Sequence, residues 1–560
     1  MFITHCGRLS MLEAVYRGVP VVGIPLIMDQ PSNLKLILDR KGGVHLDYHT
    51  LSKESILQAV KKVLGNKSYA VNMKKLSTIF RDQADTALDR AVFWTEYVIR
   101  HKGAPHLRPA STELHWHQYL LLDVILVIVF ALVITFLITR CMLIIFLQEI
   151  MLLTCIMKLA ALLLTSIELQ IVQCAKILAL LNLATPSHHV FNKVLTRTLA
   201  ARGHQVSAII YLKSLVFVII GCVRQHSTIQ IKCSVSMLTV EVNVNKYVTV
   251  ISAGVDRDPP ANLTSIHLEG VYEANRANFN YEASIEDSTI INILNMFGRV
   301  NLACEKGLQS RGGQQLLNYP STEPFDLIIT EAGWGECFYG FIGKFGSPPV
   351  VAISAFGIPP WTSGFMGTSE NPSYIPNFFT PYSSRMDFGQ RILNFVMHNL
   401  VVFLYEYRHI PRQEAIARKY FKEDIPSFWR IERNFSIFLA NILIGLDDPR
   451  PLSPNVIPIG GMHVKAQPDP LPQDLVEFLD EAKDGFIFFS LGSNLRSDAI
   501  TKDKLQVLLD AFSELPQRVL WKFESDSLLE QPSNVMIGKW LPQSDILGTV
   551  NQILSRYFLS

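Results

Sequence analysis

FITHCGRLSMLEAVYRGVPVVGIPLIMDQ, residues 2–30, decides the fold class. The stretch opens on a short apolar strand, turns on two small residues, Cys6 and Gly7, and runs into an amphipathic segment from Ser10 to Arg17. A second apolar strand, VPVVGIP, follows and ends at the polar pair Asp29 and Gln30. Strand, small-residue turn, helix and strand form the repeating unit of a parallel sheet covered by helices. Such a turn lets backbone N–H groups approach a diphosphate, and the positive end of the helix starting near Ser10 points at that charge. A lone histidine at a strand end is ordinarily structural. His5 together with Gly7, Ser10, Glu13, Asp29 and Gln30 reads instead as a binding site.

The same pattern continues outward. Residues 1–105 alternate strands and helices, and a Pro/His linker over 106–118 follows. A second α/β region runs over 176–450, with strands KILALLNL, FDLIITEA and PPVVAIS, and a third over 451–548 contains GFIFFSLGSN and RVLWKFE. Residues 207–247 lack a clear period and interrupt a helix–turn–strand unit, so an insertion is expected there. In 560 residues the composition is 49% hydrophobic and the formal charge is +2, with both signs interspersed. That charge balance argues against nucleic-acid binding. The eight cysteines show neither CxxC nor Cys/His metal spacing and are read as free thiols, with no metal site.

A mean hydropathy of +0.23 is high for a soluble chain. Its main source is YLLLDVILVIVFALVITFLIT, residues 119–139, which carries one charge, Asp123. At 1.5 Å per residue this run is long enough to cross about 30 Å of hydrocarbon, and one transmembrane helix is expected. Residues 140–156 form a junction, and MKLAALLLTSIELQIVQCA over 157–175 has the shape of a secretory signal peptide. Sequons at Asn66, Asn262 and Asn434 agree with a lumenal chain.

Three motifs together resemble the UDP-glycosyltransferase family, in particular its animal UDP-glucuronosyltransferase branch. The first is F-I-T-H-x-G with Ser10, Glu13, Pro20, Pro25 and the closing Asp29–Gln30. Cys6 stands where that branch usually has Gly. The second is WLPQSDIL, residues 540–547, with FFSLGSN, residues 488–494; the third is TPSHHVFNKVLTRTLAARGHQV, residues 185–206. The resemblance implies a GT-B arrangement of two Rossmann-like domains facing a cleft. It implies that His5 and the Gly7 turn contact the diphosphate, Glu13 the ribose, and Asp29 and Gln30 the transferred sugar. Trp540 would stack on uracil, Gln543 would contact the nucleoside, and Ser493 would lie near the phosphates.

The catalytic base implied is a histidine after the first strand of the 176–450 region. Counting back from Gly203–His204 selects His188, the preferred candidate, while the Asn192 register favours His189. Its carboxylate partner, usually Asp in the family, is Glu331 here, with Glu336 as the alternative. The implied reaction is inverting transfer of glucose or glucuronate from a UDP-sugar to a small lipophilic acceptor. The UDP-sugar is a co-substrate and no cofactor is expected. A single-pass endoplasmic-reticulum membrane protein with a lumenal catalytic part, open to homo-oligomer formation, follows from the same resemblance. A catalytically silent membrane protein is the alternative.

The motifs stand in an unusual order. Residues 1–140 resemble the end of the family's scheme and 157–548 its beginning, while 549–560 resemble neither. The resemblance implies that 1–105 is the C-terminal half of the donor-binding domain, 451–548 its N-terminal half, and 176–450 the acceptor-binding domain. A tail of one transferase joined to the head of another explains this order, as does circular permutation. The internal Met-Lys segment and the 207–247 insertion favour the first.

Overall fold

The computed structural model describes residues 1–114, 118, 121–130, 132, 176–181, 185–202, 205–208, 248–254, 260, 263–277, 279, 281–322, 325–333, 335–422, 424–493 and 496–549. Among them, two wholly parallel sheets carry the architecture. The six-stranded sheet is ordered β14–β13–β12–β1–β2–β3. Its strands are β1 (Phe2–Thr4), β2 (Val21–Gly23), β3 (Gly43–His45), β12 (Phe486–Ser490), β13 (Arg518–Lys522) and β14 (Val535–Gly538). The two ends of the chain therefore build one sheet. Phe2 pairs with Phe488 on one side and with Val21 on the other, and the Phe2 and Phe488 rings stack at 5.2 Å.

The second sheet has eight strands, ordered β11–β10–β9–β8–β4–β5–β6–β7. They are β4 (Lys176–Leu181), β5 (Gln205–Ala208), β6 (Val248–Ser252), β7 (Leu263–His267), β8 (Leu327–Glu331), β9 (Val350–Ser354), β10 (Ile437–Ala440) and β11 (Val456–Pro458). Central strands such as β8 and β9 are buried along their whole length, as a sheet covered on both faces requires. Each sheet has an apolar layer on either face. The α/β class with two Rossmann-like sheets is thus present.

Several expectations need adjustment. The helix Ala87–Arg100 belongs by sequence to the first α/β segment. It nevertheless packs Ala91, Val92 and Val98 onto the larger sheet, against a layer containing Ile177, Leu327 and Ile437. That sheet also extends past residue 450 to Pro458. Cysteines 304 and 337 are not free thiols: they form a disulfide joining the helix Thr289–Gln309 to the turn Glu336–Tyr339. Sequence spacing hides this pair because only the packing of helix on turn brings the two sulfurs together. Cys6 is a buried free thiol.

Of the 119–139 run, residues 122–130 and 132 are helical, and 121–130 and 132 are exposed. No helix among the described residues is long and apolar enough to cross a membrane, and the remainder of the run lies outside them. So do His204, Asn262, the junction, the signal-like segment, residues 209–247 of the expected insertion, and all but the first residue or two of the 549–560 tail.

Candidate active site

The β1 turn is shaped around His5. This histidine is buried at the strand end, and burial pushes its pKa down to about 4, so the ring is neutral near pH 7. A Cβ on Gly7 would lie 2.5 Å from His5 Nε2, and one on Gly492 would lie 2.4 Å from His5 Cε1. Both turns must therefore be glycine to hold the ring between them. Gly492 also has φ +82, and Cys6 adopts φ 67, a left-handed conformation that favours glycine. Gly7 precedes the helix Arg8–Arg17 with no side-chain cap. The first N–H groups of that helix are left for an anion.

One turn into this helix, Gln543 meets Ser10 and Glu13. Gln543 Nε2 donates to Ser10 Oγ at 2.9 Å and to Glu13 Oε2 at 2.5 Å, across more than 500 residues of chain. Burial pushes Glu13 up to about 7; the Gln543 hydrogen bond opposes this and Asp545 adds to it. Trp540, three residues before Gln543 in the chain, is 66% exposed. Ser493 follows Gly492 in the turn after β12 and is half-buried.

Asp29 and Gln30 begin the helix Gln30–Asp39. Asn33 Nδ2 donates to Asp29 Oδ2 at 2.7 Å and to the Cys6 carbonyl at 3.1 Å, tying this pair to the β1 turn. The side-chain Oε1 of Gln30 accepts from the N–H groups of Leu26 and Ile27, at 2.8 and 3.1 Å. That oxygen is spent on the loop, so its amide nitrogen is the part of Gln30 left for a ligand. Burial raises the Asp29 pKa, against the opposing influence of Arg8 and His188.

The two candidate bases part company. His188 sits in the first turn of the helix Pro186–Ala201, buried, and its Nδ1 hydrogen-bonds Glu331 Oε1 at the end of β8. Glu331 Oε2 accepts from Asn192 Nδ2 at 3.2 Å. Both carboxylate oxygens are therefore engaged, and Nε2 of His188 is the nitrogen left to take a proton. Phe356 edges the imidazole at 4.5 Å and is itself flanked by Phe378. His189 turns to Ser252 Oγ at 2.9 Å, beside Gly254. Glu336 is also diverted: it accepts from Tyr405 at 2.9 Å and bonds His409 Nε2 at 2.9 Å in a fully buried cluster. Burial pushes Glu432, which shares the Tyr405 hydroxyl, up to about 8.

Three contributors stand outside the sequence-derived set. Asn192 lies one helical turn after His188, a spacing that could have marked it. His463 places Nε2 3.3 Å from the Leu9 carbonyl and 3.9 Å from Glu13 Oε1, and burial pushes its pKa down to about 4. Arg8 crosses to the larger sheet, donating to the Asn441 carbonyl at 2.9 Å and to Asp447 at 2.5 Å. For His463 and Arg8 no local pattern exists, since their partners are more than 400 residues away.

Two parallel α/β sheets, an uncapped helix at a glycine turn on one and a His–carboxylate pair on the other are the parts that the resemblance to UDP-glycosyltransferases implied. The chain belongs to the family described as "UDP-glucoronosyl and UDP-glucosyl transferase", whose profile matches residues 1–153 and 179–551. It is 36% identical to UDP-glucosyltransferase 2 of Dactylopius coccus over 321 residues, covering 56% of this chain and 61% of that protein. It is 38% identical to UDP-glycosyltransferase UGT5 of the same insect over 240 residues, 42% and 45% of the two chains. With human UDP-glucuronosyltransferase 2B7 it shares 48% identity over 141 residues, 25% and 27% of the two. None of these alignments spans more than 61% of the relative's length.

Proposed function

We propose that the protein transfers glucose or glucuronate from a UDP-sugar to the hydroxyl of a small lipophilic acceptor, with inversion. The observation that carries this reading is the His188–Glu331–Asn192 array, whose helix packs Phe191 on His463 at 5.8 Å while His463 reaches the Leu9 carbonyl of the helix Arg8–Arg17 at 3.3 Å. Glu331 holds the imidazole by Nδ1 and stabilises the imidazolium that forms when Nε2 accepts the acceptor proton. The freed oxygen attacks the anomeric carbon on the face opposite the departing UDP, which inverts that centre. Backbone N–H groups at the start of the helix Arg8–Arg17 then meet the charge growing on the diphosphate. Phe356 and Phe378 give the acceptor side an apolar wall, and relatives named both glucosyl- and glucuronosyltransferase support a hexose donor. The apolar 119–139 run supports a membrane-anchored protein of the endoplasmic reticulum with its catalytic part in the lumen.

The test is glycosylation of a phenolic acceptor by the purified full chain, with UDP-glucose and UDP-glucuronate compared. His188→Ala is expected to abolish turnover while His189→Ala retains it. Loss in His189→Ala alone would overturn the assignment of the base. Absence of both turnover and UDP binding in the wild type would favour the catalytically silent reading.

A further inference from the structure

Three strands of the larger sheet end side by side. Glu331, which closes β8, pairs with Ile353, and Ser354, which closes β9, pairs with Ala440 at the end of β10. Asn441 follows β10 and is fully buried. Its Nδ2 donates to the Ala355 carbonyl at 2.6 Å, and its Oδ1 accepts from the Gly461 N–H at 3.2 Å. Each end of the amide meets a backbone group of opposite polarity, which fixes its orientation. The main-chain carbonyl of Asn441 accepts from Arg8 Nε at 3.1 Å and from Arg8 Nη2 at 2.9 Å. Arg8 also donates to Asp447 Oδ2, an oxygen that accepts from the Leu443 N–H at 2.6 Å. One residue is therefore bonded three ways: to the first turn of the helix Arg8–Arg17, to the loop after β9, and to the turn over residues 460–463.

These bonds lie on two routes from the diphosphate-facing turn to the proposed base. One runs from Arg8 through Asn441 to Ala355, and the next residue, Phe356, edges the His188 ring at 4.5 Å. The other runs from the Leu9 carbonyl to His463 Nε2 at 3.3 Å, and from the His463 ring to Phe191 at 5.8 Å. Phe191 stands three residues after His188 on the same helix. Gly461, held by Asn441 Oδ1, stands two residues before His463, so Asn441 serves both routes. Buried polar groups with every partner in place are rigid, because leaving one unpaired is costly. Alignment of the reacting groups is what such rigidity protects, since a small misplacement lowers rate even where binding persists.

We infer that Asn441 is a positioning residue, joining the first turn of the helix Arg8–Arg17 to the loop of Phe356 so that His188 Nε2 is aligned with the sugar held on the other sheet. Being fully buried, it acts through Arg8, Ala355 and Gly461. The inference rests on the transferase reading with His188 as base.

The test is a double-mutant cycle on the purified full chain: Arg8→Met, Asn441→Ala and the two combined. Calorimetric titration with UDP counts the binding sites in each preparation. Turnover of the UDP-sugar with a phenolic acceptor is then expressed per UDP site, so unfolded protein does not enter kcat. Each single variant is expected to lower kcat about tenfold with the donor KM unchanged. The double variant is expected to lie no lower than the worse single one, because both break one link. Losses that multiply to about a hundredfold in the double variant overturn the inference. A full kcat per site in either single variant also overturns it, as does a donor KM that rises in step with the loss of kcat. Should Asn441→Ala bind no UDP, Arg8→Met and Arg8→Lys decide, since lysine keeps the charge beside Asp447 without the paired donation. A kcat for Arg8→Lys between those of the wild type and Arg8→Met supports the inference, and either Arg8 variant at the wild-type kcat overturns it. Turnover retained in His188→Ala removes the base assignment and the inference together.

Discussion

At the scale of the residue, two side chains carry distinct, measurable loads. Asn192 spends its amide on Glu331 Oε2 and so sets the angle at which that carboxylate meets His188. Losing one charge-assisted hydrogen bond of about 1.4 kcal/mol corresponds to roughly tenfold in rate. Asn192→Ala is therefore expected to lower kcat about tenfold by that arithmetic while leaving the KM for donor unchanged. Steady-state kinetics checks it, and an equal change in KM would point to a disturbed fold. Glu13 offers a pH signature. Its pKa of about 7 stands above the ordinary 4.5 because it is buried. Ribose hydroxyls donate best to the ionised carboxylate, so affinity for UDP-glucose should rise as pH climbs through 7 and flatten beyond. In Glu13→Gln that slope should vanish, as calorimetric titration over pH 5.5–8.5 would show (about 1.4 kcal/mol per pKa unit). The sign for stability is opposite. The folded group keeps its proton above 4.5, so its contribution to folding is complete at low pH and lost as pH rises to about 7.

At the scale of the element, the Cys304–Cys337 bridge ties the helix Thr289–Gln309 to the turn that follows β8. That turn begins five residues after Glu331 and also carries Glu336 of the buried Tyr405–His409 cluster. Closing a loop of 33 residues constrains the unfolded chain, and replacing both cysteines by alanine should cost about 3 kcal/mol. Thermal unfolding of Cys304→Ala/Cys337→Ala is expected to show a lowered Tm. A Tm equal to the wild type's would mean that the bridge adds nothing. The turn after β12 gives a sharper local case. A methyl on Gly492 would press on His5 at 2.4 Å and force a residue at φ +82. Gly492→Ala should therefore raise the donor KM and lower the Tm, as enzyme kinetics beside thermal melts would reveal.

At the scale of the whole molecule, the chain ends are interdependent. β1 lies between β12 and β2, and the helix Ala87–Arg100 buries its apolar side on the opposite sheet. Arg8 and His463 add polar contacts across the same divide. A chain cut once at a protease site engineered between residues 140 and 156 should consequently stay assembled. The two fragments are expected to co-elute in gel filtration and to retain donor binding; separate elution would contradict the shared sheet.

How much of this was legible beforehand divides along physical lines. The 2–30 stretch could be read because its turn, helix and strand are local, with their period and glycine written in consecutive residues. His5, Gly7, Ser10, Glu13 and Asp29 followed from it, as did the parallel α/β class. The histidine doublet could not be settled that way. His188 and His189 differ by one helical step, and only the positions of Glu331 and Ser252, on strands far along the chain, separate them. The disulfide, the bond from Gln543 to Glu13, and the resting place of the helix Ala87–Arg100 share that character. Each joins residues whose adjacency exists only after both sheets have formed. Sequence by itself thus determined the local units and the chemistry of their turns, because backbone propensity and side-chain period act over a few residues. Tertiary structure alone decided which histidine is paired, which cysteines are joined, and where the helix Ala87–Arg100 rests, because those depend on packing across hundreds of residues.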